Sequence, residues 1–317
     1  MVQEEPNISD FFETMKARFE KCLDPTFSCK KPAIKAHSVQ NATSLGFIAE
    51  KNHVCELRMR IKNGQPECVF ERVGRNQAST FMGLCAEHDA EIFRPIDTNP
   101  LSLDDKEQLF LIAYRSVTRE LHVVMEAAMR LQMVLQRQVT AGVVSKDAPS
   151  PAMIEATAHM IKAWGVWKHR FEFYDQPFVK SQFAQILHSS FIIENANPVL
   201  ASSSFFSVDE KGWGKRFAAV TLNVIPTSSS QSIVIVSYPK EQSSKARRYV
   251  SSIFTKRGDQ RLRALSQMLI NRAENFFVLP SQVESWSEEK RTAIENAFVA
   301  NVINEKPEKT SVDLMLF

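Results

Sequence analysis

Two hydrophobic rhythms divide the chain. Between residues 103 and 141, apolar positions recur at helical spacing, from Leu109, Ile112 and Tyr114 through Val117, Leu121, Val124 and Ala128 to Leu131, Val134 and Leu135. That stripe predicts one long helix with a face packed in a core or on another helix. Ala141-Gly142 and the Pro-rich stretch 147–151 end it. A second helical stretch, roughly 151–173, carries Met153, Ile154, Ala158, Ile161, Trp164 and Trp167, so the pair reads as a helical hairpin. After Pro198 the pattern shifts to short runs rich in β-branched and aromatic residues, at 204–208, 216–226 and 232–239, which predict strands. Polar turns at 212–214 and 227–230 would join them as an antiparallel meander. Helices are expected over about 241–256, 258–276 and 287–303. A short helix is expected near 8–21, with Phe12, Met15 and Phe19 on one face and Ser9 or Asp10 as its cap.

The segment 22–100 follows neither rhythm. It holds all five cysteines, turn signals at Asn63-Gly64 and Gly74, and only short apolar runs. Such a composition suits a small domain of short strands organised by a metal. The expected fold class is therefore α+β. A zinc-stabilised domain would span 1–100, a helical region 101–197, and an α+β domain with an antiparallel sheet and helices 198–317. No internal repeat is present.

Composition narrows the function classes. Of 317 residues, 44% are hydrophobic and 24% charged, the balance of a globular protein. No apolar run approaches the ~20 residues that cross a bilayer, so no membrane partner is expected. The first six residues lack the basic and apolar regions of a secretion signal, and a cytoplasmic location is expected. In a reducing compartment the cysteines are better used for metal than for disulfides. The net charge of +3 is uneven. Lys245, Arg247, Arg248, Lys256, Arg257, Arg261, Arg263 and Arg272 face only Glu241 and Asp259 in their stretch. The run reads either as a solvated pair of helices or as a phosphate-binding surface, with Arg247, Arg248, Arg261 and Arg263 its candidate nucleic-acid contacts.

Four residues offer specific chemistry. Cys22 and Cys29 form a C-x6-C pair, and Cys85 and His88 a C-x2-H pair. Zinc favours four tetrahedral sulfur and nitrogen ligands. Spacing of three residues lets Cys85 and His88 converge at one helical end, and Asp24-Pro25 can turn the first loop. Cys55 and Cys68 are spare, either substitutes for Cys29 or core thiols. His122, His159 and His169 lie within the predicted helices and read as structural. No Walker loop, dinucleotide glycine pattern, H-E-x-x-H or G-x-S-x-G occurs, so those chemistries lack support.

Ala36-His37-Ser38-Val39-Gln40, followed by Ser79-Thr80-Phe81-Met82-Gly83-Leu84-Cys85-Ala86-Glu87-His88-Asp89, resembles the order of elements in HNH endonucleases of the ββα-metal type. It is also similar to a group of uncharacterised bacterial proteins with A-H-S-x-Q and S-T-F-x-G-x-C-x-x-H-D motifs. The likeness covers residues 20–95. It implies a ββα-like zinc domain in which His37 is the general base and Asp89 holds a catalytic Mg²⁺ or Mn²⁺. Thr80 or Ser79 would stand where the family has Asn. The chain departs from the pattern twice: Ala36 replaces the Asp or His that usually precedes the base, and the Asn is missing.

Three functional expectations follow. The first is metal-dependent hydrolysis of nucleic-acid phosphodiesters, with the helical region supporting a homodimer, as in a bacterial defence or toxin effector. The second is a non-enzymatic zinc module that binds nucleic acid or a protein partner, with a C-terminal sensor domain. The third places function in the C-terminal half, as a sensor of small molecules or phosphate that uses the basic stretch 245–263.

Overall fold

The computed structural model describes residues 17–62, 65–194, 197–208, 218–303 and 311–317. Most of the helix expected near 8–21 and the turns at 63–64 and 212–214 lie outside them. Residues 17–20, at the end of that expected helix, are irregular.

The protein is α+β. Its strands are β1 (Ala36–His37), β2 (His53–Lys62), β3 (Gln65–Gly74), β4 (Thr80–Phe81), β5 (Ile186–Glu194), β6 (Leu200–Ser207), β7 (Ala219–Ser228), β8 (Gln231–Pro239) and β9 (Phe276–Val278). Its helices are α1 (Ala86–Asp97), α2 (Lys106–Thr140), α3 (Pro151–Arg170), α4 (Gln176–Val179), α5 (Ser243–Thr255), α6 (Gly258–Arg272), α7 (Pro280–Ser285) and α8 (Glu288–Phe298). None is long and apolar enough to cross a membrane.

The chain folds into two compact units that are not successive along the sequence. Unit 1 comprises Met1–Ala36, Phe81–Glu91 and Val117–Gln182; unit 2 comprises His37–Thr80, Ile92–Ser116 and Phe183–Phe317. The linear segments 1–100 and 101–197 each contribute to both.

Unit 1 is mainly helical. Ser150 caps α3 by accepting a hydrogen bond from the Met153 backbone at 3.2 Å, with Pro151 at the first helical position. Val117, Leu121, Val124 and Ala128 of α2 are buried, as their stripe requires. On α3 the buried apolar positions are the small Ala156 and Ala163 together with Val166, whereas Ile154, Ile161 and Trp164 are exposed. Small side chains let the helices approach closely, and Gln132 of α2 donates to the Ala156 carbonyl at 3.2 Å. A one-residue widening of the helix over Phe171–Asp175 follows α3.

Unit 2 is organised by a seven-stranded antiparallel sheet in the order β3-β2-β9-β6-β7-β8-β5. The meander expected after residue 200 is present as β6-β7-β8. Among the strands after residue 180, two escaped the sequence pattern. β5 pairs with β8 along nine residues, and the three-residue β9 sits between β2 and β6. Through β9 the early β2–β3 hairpin joins the late strands, with Val278 opposite both Cys55 and Leu200. The core on one face takes Leu222, Val224, Val234 and Val236 from the sheet and Val250, Ile253, Leu265 and Leu269 from α5 and α6. Central strands buried on both faces read as near-continuous apolar runs, and β8 (Ile233-Val234-Ile235-Val236) does so.

His188 on β5 gives unit 2 a pH dependence. Its Nδ1 lies 2.8 Å from the Ser237 hydroxyl, while Nε2 is shut off from solvent without a protein partner. Burial pulls its pKa down to about 4 from the usual 6.5. Between these values the unfolded chain binds a proton that the folded one refuses, so stability falls as pH drops through that window. The loss attributable to this residue should be on the order of 2–3 kcal/mol, read as the difference in urea-unfolding free energy between pH 6.5 and 4 for wild type against His188→Gln. Parallel curves for the two proteins would show that His188 is not responsible.

Candidate metal centre

The centre is built wholly within unit 1. Its first loop leaves Cys22 and turns back at Asp24. That carboxylate, 2% exposed, accepts from the backbone of Cys29 at 3.0 Å through Oδ1 and from those of Thr26 and Ser28 at 3.2 and 3.3 Å through Oδ2. Three backbone donors on one acid curl residues 24–29 into a turn that aims Cys29 back at Cys22. Phe27 takes a left-handed conformation at its apex, with φ 55°. Burial alone would raise the Asp24 pKa; the Thr26 hydroxyl and the Cys29 and Ser28 amides outweigh it and hold the group ionised below its ordinary range.

The second ligand pair lies where the chain turns into α1. Cys85 immediately precedes the helix and His88 is in its first turn, so one helical start presents both; the Asp89 amide donates to the Cys85 carbonyl at 2.9 Å. The two segments are joined by backbone bonds from Leu23 to the Gly83 carbonyl and from Ile34 to the Leu84 carbonyl, both 2.7 Å. Gly83 admits no side chain here, because a Cβ would come within 2.3 Å of the Phe81 ring. From α3, the fully buried Arg170 donates to the Leu23 carbonyl and sits 3.1 Å from Asp175. Trp167 packs on Phe27, with ring centres 5.6 Å apart.

The result is a cluster of Cys22, Cys29 and Cys85 sulfurs and the His88 nitrogen, all within 4.8 Å of one another. His88 Nδ1 is 3.5 Å from Cys22 Sγ and 3.3 Å from Cys85 Sγ, and the Cys29 and Cys85 sulfurs are 3.9 Å apart. A tetrahedral zinc ion sets edges of about 3.8 Å between sulfurs and about 3.5 Å between sulfur and nitrogen. The observed spacings match those edges and exceed a disulfide by nearly twofold. Backbone N–H groups of Cys85 and Lys31 point at the sulfurs of Cys22 and Cys29, at 3.2 and 3.4 Å, the outer hydrogen bonds that thiolate ligands need.

The two buried cysteines shift in opposite directions. Burial, with further contributions from the neighbouring cysteines, pushes the Cys22 thiol up to about 12. At Cys85 burial is outweighed by backbone donation from His88 and Glu87 and by the neighbouring thiols, and its pKa falls below the usual value. A divalent cation resolves both situations by making thiolates the stable form. These four residues could bind a metal ion, and sulfur-rich tetrahedral geometry makes zinc the best fit.

The remaining candidates are not members of this cluster. His37 is on β1 in unit 2, its Nε2 3.3 Å from the Arg75 carbonyl. Thr80 is on β4 in unit 2 and donates to the Gln77 carbonyl at 2.8 Å. Asp89 is half-buried in the first turn of α1, in unit 1. Among the described residues only the Cys3His group gathers three or more Cys, His, Asp or Glu side chains around a common point. Cys55 and Cys68 lie in the core of unit 2, where burial raises both thiols to about 11. Of the histidines read as structural, His122 bonds the Phe19 carbonyl at 3.2 Å, and buried His169 is driven down to about 3. Asp24 and Gly83 are the supports that spacing alone did not reveal; the Asp-Pro-Thr turn signal marks the former.

The basic stretch falls on α5 and α6. Arg247, Arg248 and Arg263 are exposed, and Arg261 is half-buried. Arg263 is ion-paired with Asp313, and Arg261 lies over the Phe191 ring at 4.6 Å.

Comparisons with protein-family models, curated proteins and solved structures each returned no match.

Purified protein should contain one zinc per chain by elemental analysis. Cys85→Ser should lose the metal and lower the melting temperature of unit 1, because structural-site binding energy is folding energy. Retention of full zinc by Cys85→Ser would exclude the four-ligand centre.

Proposed function

We propose that this chain is a non-enzymatic zinc-stabilised protein that binds nucleic acid. A centre with four protein ligands leaves no open coordination position, which is the mark of a structural rather than a catalytic zinc. The observation that carries the binding role is the exposed cationic surface of α5 and α6. Lys245, Arg247, Arg248, Lys256, Arg257 and Arg272 all reach solvent there. Tyr249 is exposed among them, 44% open, with the Arg272 guanidinium 6.0 Å from its ring centre. Cations track a phosphate backbone and an exposed aromatic–guanidinium pair accepts a stacked base, which favours nucleic acid over a free inorganic anion.

The charge-reversal pair Arg247→Glu and Arg248→Glu should weaken binding to any sequence and make the slope of log affinity against log salt about two units shallower. Unchanged affinity and slope would remove α5 and α6 from the interface.

A second reading, nucleic-acid hydrolysis of the HNH type, draws support from His37. The Arg75 carbonyl can only accept, so Nε2 donates in that contact, and in this reading the imidazole would act as the general base. Cleavage of DNA or RNA that needs Mg²⁺ or Mn²⁺ and vanishes in His37→Ala, at unchanged zinc content, would establish hydrolysis. No cleavage by wild type leaves binding as the function.

A further inference from the structure

Unit 2 contains a cleft of about 450 Å³, which falls in the range of small-molecule sites. It lies between the segment after β1, the turn that leads from α1 to α2, and the ends of β7 and β8. Three features of its lining restrict what can occupy it.

The first is its charge. Arg115 and Asp97 are its charged lining residues, and they neutralise each other through two parallel hydrogen bonds of 2.8 and 2.6 Å. The guanidinium also lies over the Phe93 ring, 4.1 Å from its centre. The cleft offers no uncompensated charge, so a charged occupant would be desolvated without a counter-ion.

The second is an unmet hydrogen bond. Asn223 on β7 is 2% exposed. Its Oδ1 is 3.0 Å from the Ser116 hydroxyl, and its Nδ2 has no partner. Turning the amide exchanges the two atoms but still leaves one unsatisfied. Arg115 Nε is likewise buried without a partner. Buried polar groups in native proteins are nearly always satisfied, and one left open in a cleft points to a ligand or ordered water.

The third is the mixture of surfaces. Ile112, Ile225 and Ile233 form apolar walls, while Gln40 and Gln231 add two more carboxamides. Both glutamines are held by internal bonds: Thr43 donates to Gln40, and Thr227 donates to Gln231 at 3.0 Å. Carboxamides between aliphatic walls complement a flat molecule whose edge carries adjacent carbonyl and N–H groups.

We propose that this cleft binds an uncharged molecule of nucleoside size through the amide-like edge of its base. The site is separate in chemistry from the cationic surface of α5 and α6, which would select phosphate.

The test uses full-length, zinc-loaded protein titrated calorimetrically with the four ribonucleosides and their 5′-monophosphates. At least one nucleoside should bind one-to-one, and its monophosphate should bind no more tightly. Ile225→Trp on β7, a half-buried wall position, should fill the cleft and weaken that nucleoside by about tenfold or more, with zinc content and circular dichroism unchanged. Should that variant fail to fold, Gln231→Ala at the rim should weaken binding in the same direction. The proposal is overturned if no nucleoside binds up to millimolar concentration, if wild-type affinity survives in the folded variant, or if the monophosphate binds much more tightly.

Discussion

Three sulfurs and an imidazole nitrogen converge within 4.8 Å of one another, an arrangement that could hold a metal ion and on which the order of unit 1 would then depend. Thiols buried together resist ionisation, as Cys22 does, yet the backbone donors aimed at these sulfurs are placed for thiolates. A bound cation would reconcile the two. Once it binds, the loop after Cys22 and the start of α1 form one cross-linked object. Irregular backbone around Asp24 and Gly83 then becomes a fixed part of unit 1.

The supports around the centre work by the same logic of few but obligatory contacts. Asp24 converts three loose amides into one turn, and Gly83 lets the neighbouring segment pass against Phe81. Arg170, with no exposure at all, joins α3 to the loop through the Leu23 carbonyl and is balanced by Asp175. A buried ion pair of this kind adds little net stability but makes loss of either partner costly. These residues act on the orientation of the ligands rather than on the metal itself.

Unit 2 depends on a different kind of constraint. β9 is three residues long, yet it is the strip through which β2 and β6 share a sheet. Chain segments more than two hundred positions apart must therefore pair before the sheet is complete, a topology of high contact order. The cleft beside β7 and the cationic helices α5 and α6 are both carried by this one sheet. In the cleft Arg115 is ion-paired with Asp97, whereas Arg247 and Arg248 on α5 are exposed to solvent.

Much was legible in the sequence because it was local. Helical periodicity placed α2, α5, α6 and α8, alternating β-branched runs placed β6 to β8, and the two ligand spacings named Cys22, Cys29, Cys85 and His88. A ligand pair is legible because its two members lie within one turn of chain. What the sequence could not carry was everything decided between distant segments. β9 is too short for a periodic signal and is a strand only because β2 and β6 flank it. Cys55 and Cys68 differ from the ligand cysteines not in type but in their place within the core of unit 2. The outward Ile154 and Trp164 show that an apolar position is buried only when a partner covers it. Local chemistry is written residue by residue, whereas the choice of neighbour belongs to the closed fold, where packing and desolvation act on the whole chain at once.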